Sequence, residues 1–239
     1  MSKDQRGGET IDRLLAAASE VFADVGYRAA TLREICRRGN ANIAAVNYHF
    51  RDKEQLYTAV LERAVLAAGE DLRRIAPEQA SPPEEKLRHF IQNLFHSLLG
   101  ADRPVLLLRL IAHELVEPTP ALDLALEKAA RPLNEILAAI LAELLGPAAE
   151  PAVVRNCVTS IISQCSSYHH SEAAIQRLDQ LNVHDPATIE QLAEHVYRFS
   201  LGGVRAIAAQ TARNSEVPGC GEYPRTQSGG VERKCRDTV

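Results

Sequence analysis

The stretch YRAATLREICRRGNANIAAVNYHFRDKEQLY, residues 27–57, decides how this chain folds. Thr31 precedes Leu32-Arg33-Glu34, the spacing of a capping box, in which a hydroxyl and a carboxyl satisfy the free amides of a helix start. Leu32, Ile35 and Cys36 recur at i, i+3 and i+4 and give this short helix one apolar face. Arg37-Arg38-Gly39 ends it, and Asn40 suits the left-handed turn position that most side chains avoid. Asn42 is placed to cap a second short helix, Ile43 to His49, which Val46 and Phe50 turn inward. Asp52 caps the next helix, with Lys53 in its first turn and Gln55 at the box position. Two short helices joined by a tight turn form a helix-turn-helix, whose second helix enters the major groove of DNA.

Charge follows the same logic. The whole chain carries a net charge of −4, which argues against non-specific coating of nucleic acid. Residues 28–53 are different, with six bases (Arg28, Arg33, Arg37, Arg38, Arg51, Lys53) against two acids (Glu34, Asp52). A basic tip on an acidic body orients the tip towards phosphate. The chain is 46% hydrophobic, rich in Ala and Leu, and lacks Trp, a balance that favours packed helices over sheet. No apolar run is long enough to span a membrane, and the opening MSKDQRGGET lacks a signal-peptide core, so a cytoplasmic protein is expected. The five cysteines are odd in number and irregularly spaced, which fits free thiols in a reducing compartment.

Outside the motif the pattern stays helical, and an all-α fold is expected. A first helix runs from Glu9 to Val25 and ends at Gly26; the one opened by Lys53 reaches about Ile75. Pro82 and Pro83 mark a linker, with Ser81, Pro82 and Glu84 as the start signal of a helix bearing Leu87, Phe90, Ile91, Leu94, Phe95, Leu98 and Leu99 on one face. Further helices are expected over 104–117, after Thr119-Pro120, over 132–145, over 152–171 and over 186–210. Residues 1–56 read as a DNA-binding domain, 57–210 as a helical domain for effector binding and dimerisation, and 211–239, rich in Gly and mixed charge, as a disordered tail.

The motif resembles the DNA-binding domain of the TetR family of transcriptional regulators. The resemblance rests on Gly26, Tyr27 and Thr31 after the first helix, and on His49-Phe50, Lys53-Glu54 and Leu56-Tyr57 at the end. The chain departs from the family in the turn, where Asn40-Ala41-Asn42 replaces the usual Gly-Val-Ser, and in the Asn47-Tyr48 order before His49. AAVNYHF and the looser match of residues 84–209 resemble the subgroup typified by the CecR regulators. The resemblance implies a homodimer that binds a palindromic double-stranded DNA operator and is released by a small-molecule effector, most simply as a repressor. A population shift between two spacings of the reading helices would be the mechanism, with the helix from Lys53 as lever.

Site residues follow. Asn42, Ala44, Ala45, Asn47 and Tyr48 are candidates for base edges, since Asn pairs bidentately with adenine and Ala meets a thymine methyl. Thr31, Arg33, Tyr48, His49 and Lys53 are candidates for phosphate; Asn42 can equally be only a cap, and Arg37 and Arg38 only a solvated face. Phe90, Leu94, Phe95, Leu98, Arg109, His113 and Tyr168 are the candidate lining of an effector cleft, though each apolar one reads more simply as core. Arg109, His113 and Glu117 lie at i, i+4 and i+8, a polar stripe that faces solvent, forms internal ion pairs or lines a cavity. Ile161, Cys165 and Val196 are the candidate dimer contacts on the last two long helices. Cys157, Cys165 and His169 share a stripe, but residues eight apart lie about 12 Å apart along a helix and cannot share one ion, which leaves a Cys165–His169 pair with ligands from elsewhere, against the default of Cys165 as a small core residue. No metal, cofactor or catalytic set is expected, for no Gly-rich phosphate loop or nucleophile elbow occurs. The competing readings are a helical small-molecule-binding or enzymatic bundle with a merely structural motif and, more weakly, a non-specific DNA-structuring protein.

Overall fold

The computed structural model describes residues 3–75, 80–102 and 104–216, and all regular structure among them is helical. The order is α1 (Lys3–Ala29), α2 (Leu32–Arg38), α3 (Ile43–His49), α4 (Lys53–Ile75), α5 (Pro83–Leu99), α6 (Val105–Val116), α7 (Leu122–Ala125), a π-helical turn (Leu126–Ala130), α8 (Arg131–Leu145), α9 (Pro151–His170), α10 (Glu172–Asp179) and α11 (Pro186–Glu216). No described helix is long and apolar enough to cross a membrane.

Two apolar cores form, and α4 runs through both. The first gathers Leu14, Val21 and Phe22 of α1, Ile35 of α2, Val46 of α3 and Leu56 to Val65 of α4. It is completed by Leu107 and Leu110 of α6 and by Ala121 and Ala125 around α7. The second begins at Ile75 and is built from α5, α8, α9 and α11. Leu87, Phe90, Ile91, Phe95 and Leu99 of α5 are all fully buried, as their spacing requires. Each such side chain contributes about 1.5–3 kcal/mol on burial. The helices following the linker thus divide: α6 and α7 pack on the N-terminal unit, the rest on each other.

Several local expectations shift. At Gly26, φ is 75°, so α1 breaks before its last short turn. α5 starts at Pro83, and Pro82 is its extended cap residue without a side-chain hydrogen bond, because a residue before proline is pushed out of the helical region. The Ser81 capping box is therefore not formed. The Thr119 hydroxyl accepts from the Ala121 amide at 3.2 Å, but α7 opens only at Leu122. α10 occupies a stretch whose weak apolar pattern hid it: none of its residues is buried. α11 continues to Glu216, six residues past the expected end at 210, so the helix includes the first part of the segment read as a tail. Its sequence, TARNSE, shows no apolar periodicity, yet Ala and Arg are good helix formers. The remainder, 217–239, with Cys220 and Cys235, lies outside the described residues.

Candidate nucleic-acid interface

The helix-turn-helix is assembled by the residues that announced it. The Thr31 hydroxyl accepts from the Glu34 amide at 3.2 Å and starts α2. Only half of the capping box forms, because the Glu34 carboxylate turns to Arg37 at 2.7 Å and Arg38 at 2.9 Å. The two guanidiniums hold its carboxyl down at about 2. Gly39 lies where an added Cβ would meet Ala17 and the Arg13 carbonyl at 3.3 Å, so the turn can press on α1. Asn40 takes φ 44°, the left-handed position. Asn42 caps α3, its side-chain oxygen accepting from the Ala44 amide at 3.0 Å.

α3 is pinned by Val46, which is fully buried, with Ala45 and Phe50 half-buried beside it. Its opposite face carries Ile43, Ala44, Asn47 and Tyr48, all exposed, with Tyr48 at 84%. These are neighbours on one helical face. Ala45 belongs to the packed side and stands back from this face. Ile43, 49% exposed, was not singled out in the sequence. Its spacing of four from Asn47 was the available signal. His49 is half-buried and stands edge-on to Tyr48, ring centroids 4.9 Å apart.

Lys53 behaves differently from the expectation of a phosphate contact. Its ammonium donates to the carbonyls of Tyr27 at 2.9 Å and Ala30 at 3.1 Å and lies 4.3 Å above the Tyr27 ring. Two of its three N–H donors thus join the end of α1 to the start of α4. Partial burial pulls its pKa below the ordinary lysine value. Asp52 caps α4 through the Gln55 amide at 2.8 Å.

The local positive charge is also redistributed. Arg38 reaches Asp24 at 3.1 Å, and Arg28 reaches Glu117 at 3.7 Å. Arg33 and Arg51 are exposed, and neither makes an ion pair among the described residues. Arg51, at φ 71°, follows directly on the C-cap of α3.

The expected effector lining does not converge. Phe90, Leu94, Phe95, Leu98 and Tyr168 meet in the second core, Tyr168 tilted against Phe95 with centroids 5.5 Å apart. Arg109 and His113 lie on α6 against α1, in the other unit. Arg109 donates to Asp24 at 3.1 Å, and a ring nitrogen of His113 stands 3.2 Å from the Ala23 carbonyl oxygen.

The expected dimer contacts pack within their own chain. Ile161, Cys165 and Val196 are buried inside their own chain, at 2%, 0% and 2% exposure. They form the inward stripes of α9 and α11, and burial pushes the Cys165 thiol up to about 12. Between α9 and α11 lies an open groove of about 310 Å³, lined by Val153, Ser160, Phe199 and Ile207 at its rim and by Ile161 and Val204 at its floor. Phe199 is 67% exposed there. α11 carries a second apolar stripe through Phe199 and Ile207, and sequence spacing alone did not say which one its own chain covers.

Comparison with known proteins accords with this architecture. The domain described as "Bacterial regulatory proteins, tetR family" matches residues 14–60. The "HTH-type transcriptional dual regulator CecR, C-terminal domain" matches residues 83–204. The chain is similar to the HTH-type transcriptional dual regulator CecR of Shigella flexneri, 33% identical over 150 residues, 59% of this chain and 67% of that protein. It also resembles the HTH-type transcriptional activator FasR of Mycolicibacterium smegmatis, 45% identical over 65 residues, 27% of this chain and 28% of that one. Among solved structures, the flavonoid-responsive regulator FrrA shares the fold with a TM-score of 0.60 at 21% identity, covering 82% of this chain and 97% of that one. AibR, solved with isovaleryl coenzyme A and operator DNA, gives 0.58 at 14% identity, covering 80% and 97%. A TetR-type reading head and a CecR-type helical body account together for most of the sequence, and the chain belongs to the TetR family of bacterial transcriptional regulators.

Proposed function

We propose that this protein is a cytoplasmic, homodimeric repressor that binds a palindromic operator and leaves it when a small-molecule effector binds the helical body. The observation that carries DNA reading is the outward face of α3, with Ile43, Ala44, Asn47 and Tyr48 exposed on a helix anchored from behind by fully buried Val46. A rigid, solvent-facing surface of small, amide and apolar groups matches base edges: the Asn47 amide offers both a donor and an acceptor to adenine, while Ile43 and Ala44 can meet thymine methyls. Arg33, Arg51, Thr31 and Tyr48 border it and supply phosphate contacts. The open groove between α9 and α11, with Phe199 in it, supports pairing of two copies, which would set the reading helices about 34–36 Å apart on successive major grooves. The relatives' names support effector control, since one is called flavonoid-responsive and another was solved with isovaleryl coenzyme A.

The test is selection of duplexes from a random pool with purified protein, followed by titration of the enriched site and a scrambled control. A palindrome held much more tightly than the control supports the reading; equal affinity for both overturns it. Asn47→Ala should then weaken the enriched site by about 1–3 kcal/mol while barely changing the scrambled duplex. Equal losses on both would make Asn47 a backbone contact.

A further inference from the structure

Most of the bases of the reading head are engaged inside the chain. Arg37 and Arg38 hold Glu34 at 2.7 and 2.9 Å, and Arg38 also reaches Asp24 at 3.1 Å. Arg28 faces Glu117 at 3.7 Å. Lys53 donates to the Tyr27 and Ala30 carbonyls at 2.9 and 3.1 Å. Of the six bases over residues 28–53, Arg33 and Arg51 alone lack such a contact among the described residues, and neither lies on α3. The outward face of α3, with Ile43, Ala44, Asn47 and Tyr48, carries no charged side chain. Asn42 is withdrawn from it, since its side-chain oxygen accepts from the Ala44 amide at 3.0 Å. Asn47 is different: its side-chain amide makes no hydrogen bond among the described residues, so its oxygen and its NH₂ both face outward unused.

Each base pair asks for a different partner in the major groove. Guanine presents two acceptors, N7 and O6, and is read best by the donors of Arg or Lys. Cytosine presents a donor, which Asp or Glu accepts. The outward face of α3 offers neither kind of side chain. Adenine presents an acceptor beside a donor, which one carboxamide matches with both its groups, and thymine presents a methyl group that apolar side chains cover. Opposite guanine, the Asn47 oxygen would meet O6, acceptor against acceptor. We infer that the base pairs beneath α3 are A·T pairs, with adenine facing Asn47 and thymine methyls facing Ile43 and Ala44, and that G·C pairs are disfavoured there. Ile43 and Asn47 stand one helical turn apart, about 5.4 Å, which spans one to two base-pair steps of about 3.4 Å. The A·T pairs are therefore adjacent or one step removed. The inference rests on the proposed DNA-reading function and names the operator that it selects. In a palindrome the A·T step appears twice, about one turn of DNA apart.

The experiment uses the full chain and the duplex enriched from a random pool. Positions under α3 are those whose base preference is flattened in Asn47→Ala or Ile43→Ala. A·T should predominate at them, and exchange of one such pair for G·C should weaken binding about tenfold. A predominance of G·C there overturns the inference. Modified duplexes then test each contact. 7-Deazaadenine, which lacks N7, should weaken binding about fivefold at the adenine facing Asn47, the effect of one hydrogen bond, and have no effect in Asn47→Ala. Deoxyuridine in place of thymidine removes one methyl group and should weaken binding about fourfold under Ile43, with no effect in Ile43→Ala. Full affinity for both modified duplexes overturns the inference as well. Asn47→Arg, a change at an exposed position that should leave the circular dichroism spectrum unaltered, should move the preference at its position from A·T to G·C. A preference that stays at A·T with arginine there overturns the role of Asn47. If no duplex is enriched, the DNA-reading function fails and this inference falls with it; a duplex enriched with G·C under α3 refutes the inference alone.

Discussion

Replacing Glu114 measures how firmly α4, α6 and the loop before α7 are joined. Its carboxylate is 1% exposed and accepts from the Tyr57 hydroxyl at 2.7 Å and from the Thr119 amide and hydroxyl, both at 2.8 Å. Oε2 serves the amide and Oε1 the two hydroxyls. Glu114→Ala strands three donors, each costing roughly 1–3 kcal/mol, partly relieved by hydroxyl rotation and entering water; the expected loss is about 3–5 kcal/mol. Glu114→Gln keeps the shape. Its amide oxygen can face the Thr119 N–H while its NH₂ faces hydroxyls that rotate to accept, so only charge assistance disappears, about 1–2 kcal/mol. Tyr57→Phe removes one bond to a charged acceptor, about 2 kcal/mol, and keeps the ring packed against Phe22 and Tyr27 at 4.8 and 5.1 Å. Burial first, and Glu114 second, hold the Tyr57 hydroxyl far above the ordinary tyrosine range, so it stays a donor at working pH. Urea unfolding followed by circular dichroism gives the differences, provided the slope with denaturant is unchanged. The reasoning is refuted if Glu114→Gln costs as much as Glu114→Ala, or if Tyr57→Phe lies within about 0.5 kcal/mol of the unaltered protein.

Three further outcomes are expected. Lys53→Ala should lower stability by about 1–2 kcal/mol in the same assay and change the salt dependence of operator binding by less than one phosphate contact; a full unit of slope with unchanged stability would place the ammonium on DNA. Phe199→Asp should turn the dimer into monomer by sedimentation velocity, since a carboxylate cannot be buried unpaired in an apolar face; an unchanged dimer would move the interface elsewhere. The Glu34 carboxyl should titrate near 2 by carbon NMR, so its contribution to stability is present above the ordinary value of 4.5 and is lost as pH falls towards 2. A midpoint near 4.5 would show that the pairs with Arg37 and Arg38 do not persist in solution.

The reading head was legible because its signals are local. Thr31, Asn40, Asn42 and Asp52 each act within four residues, and each holds the cap or turn its chemistry implies. What the sequence did not show was non-local. Lys53 stands in a first turn where an anion is welcome, but carbonyls 23 and 26 residues away claim its donors. Ile161 and Val196 sit on true apolar stripes, but α11 carries a second one through Phe199 and Ile207, and only packing tells inner from outer. The stripe of Arg109 and His113 was correctly seen as unusual in an apolar helix. Its partners, Asp24 and the Ala23 carbonyl, lie about ninety residues upstream, beyond the reach of periodicity.

The first core crosses the boundary between reading head and body, which bears on how such regulators can be recombined. Leu107, Leu110, Ala121 and Ala125 close a pocket of apolar side chains that the first sixty residues leave open. A head cut at residue 60 and joined to a foreign body would expose that surface unless the new body brought a helix of matching shape to the same place. Exchange of specificity between relatives is therefore constrained less by the joint in α4 than by this borrowed wall. A chimaera that carries its own residues 105–125 along with its head should fold where one spliced at the joint does not.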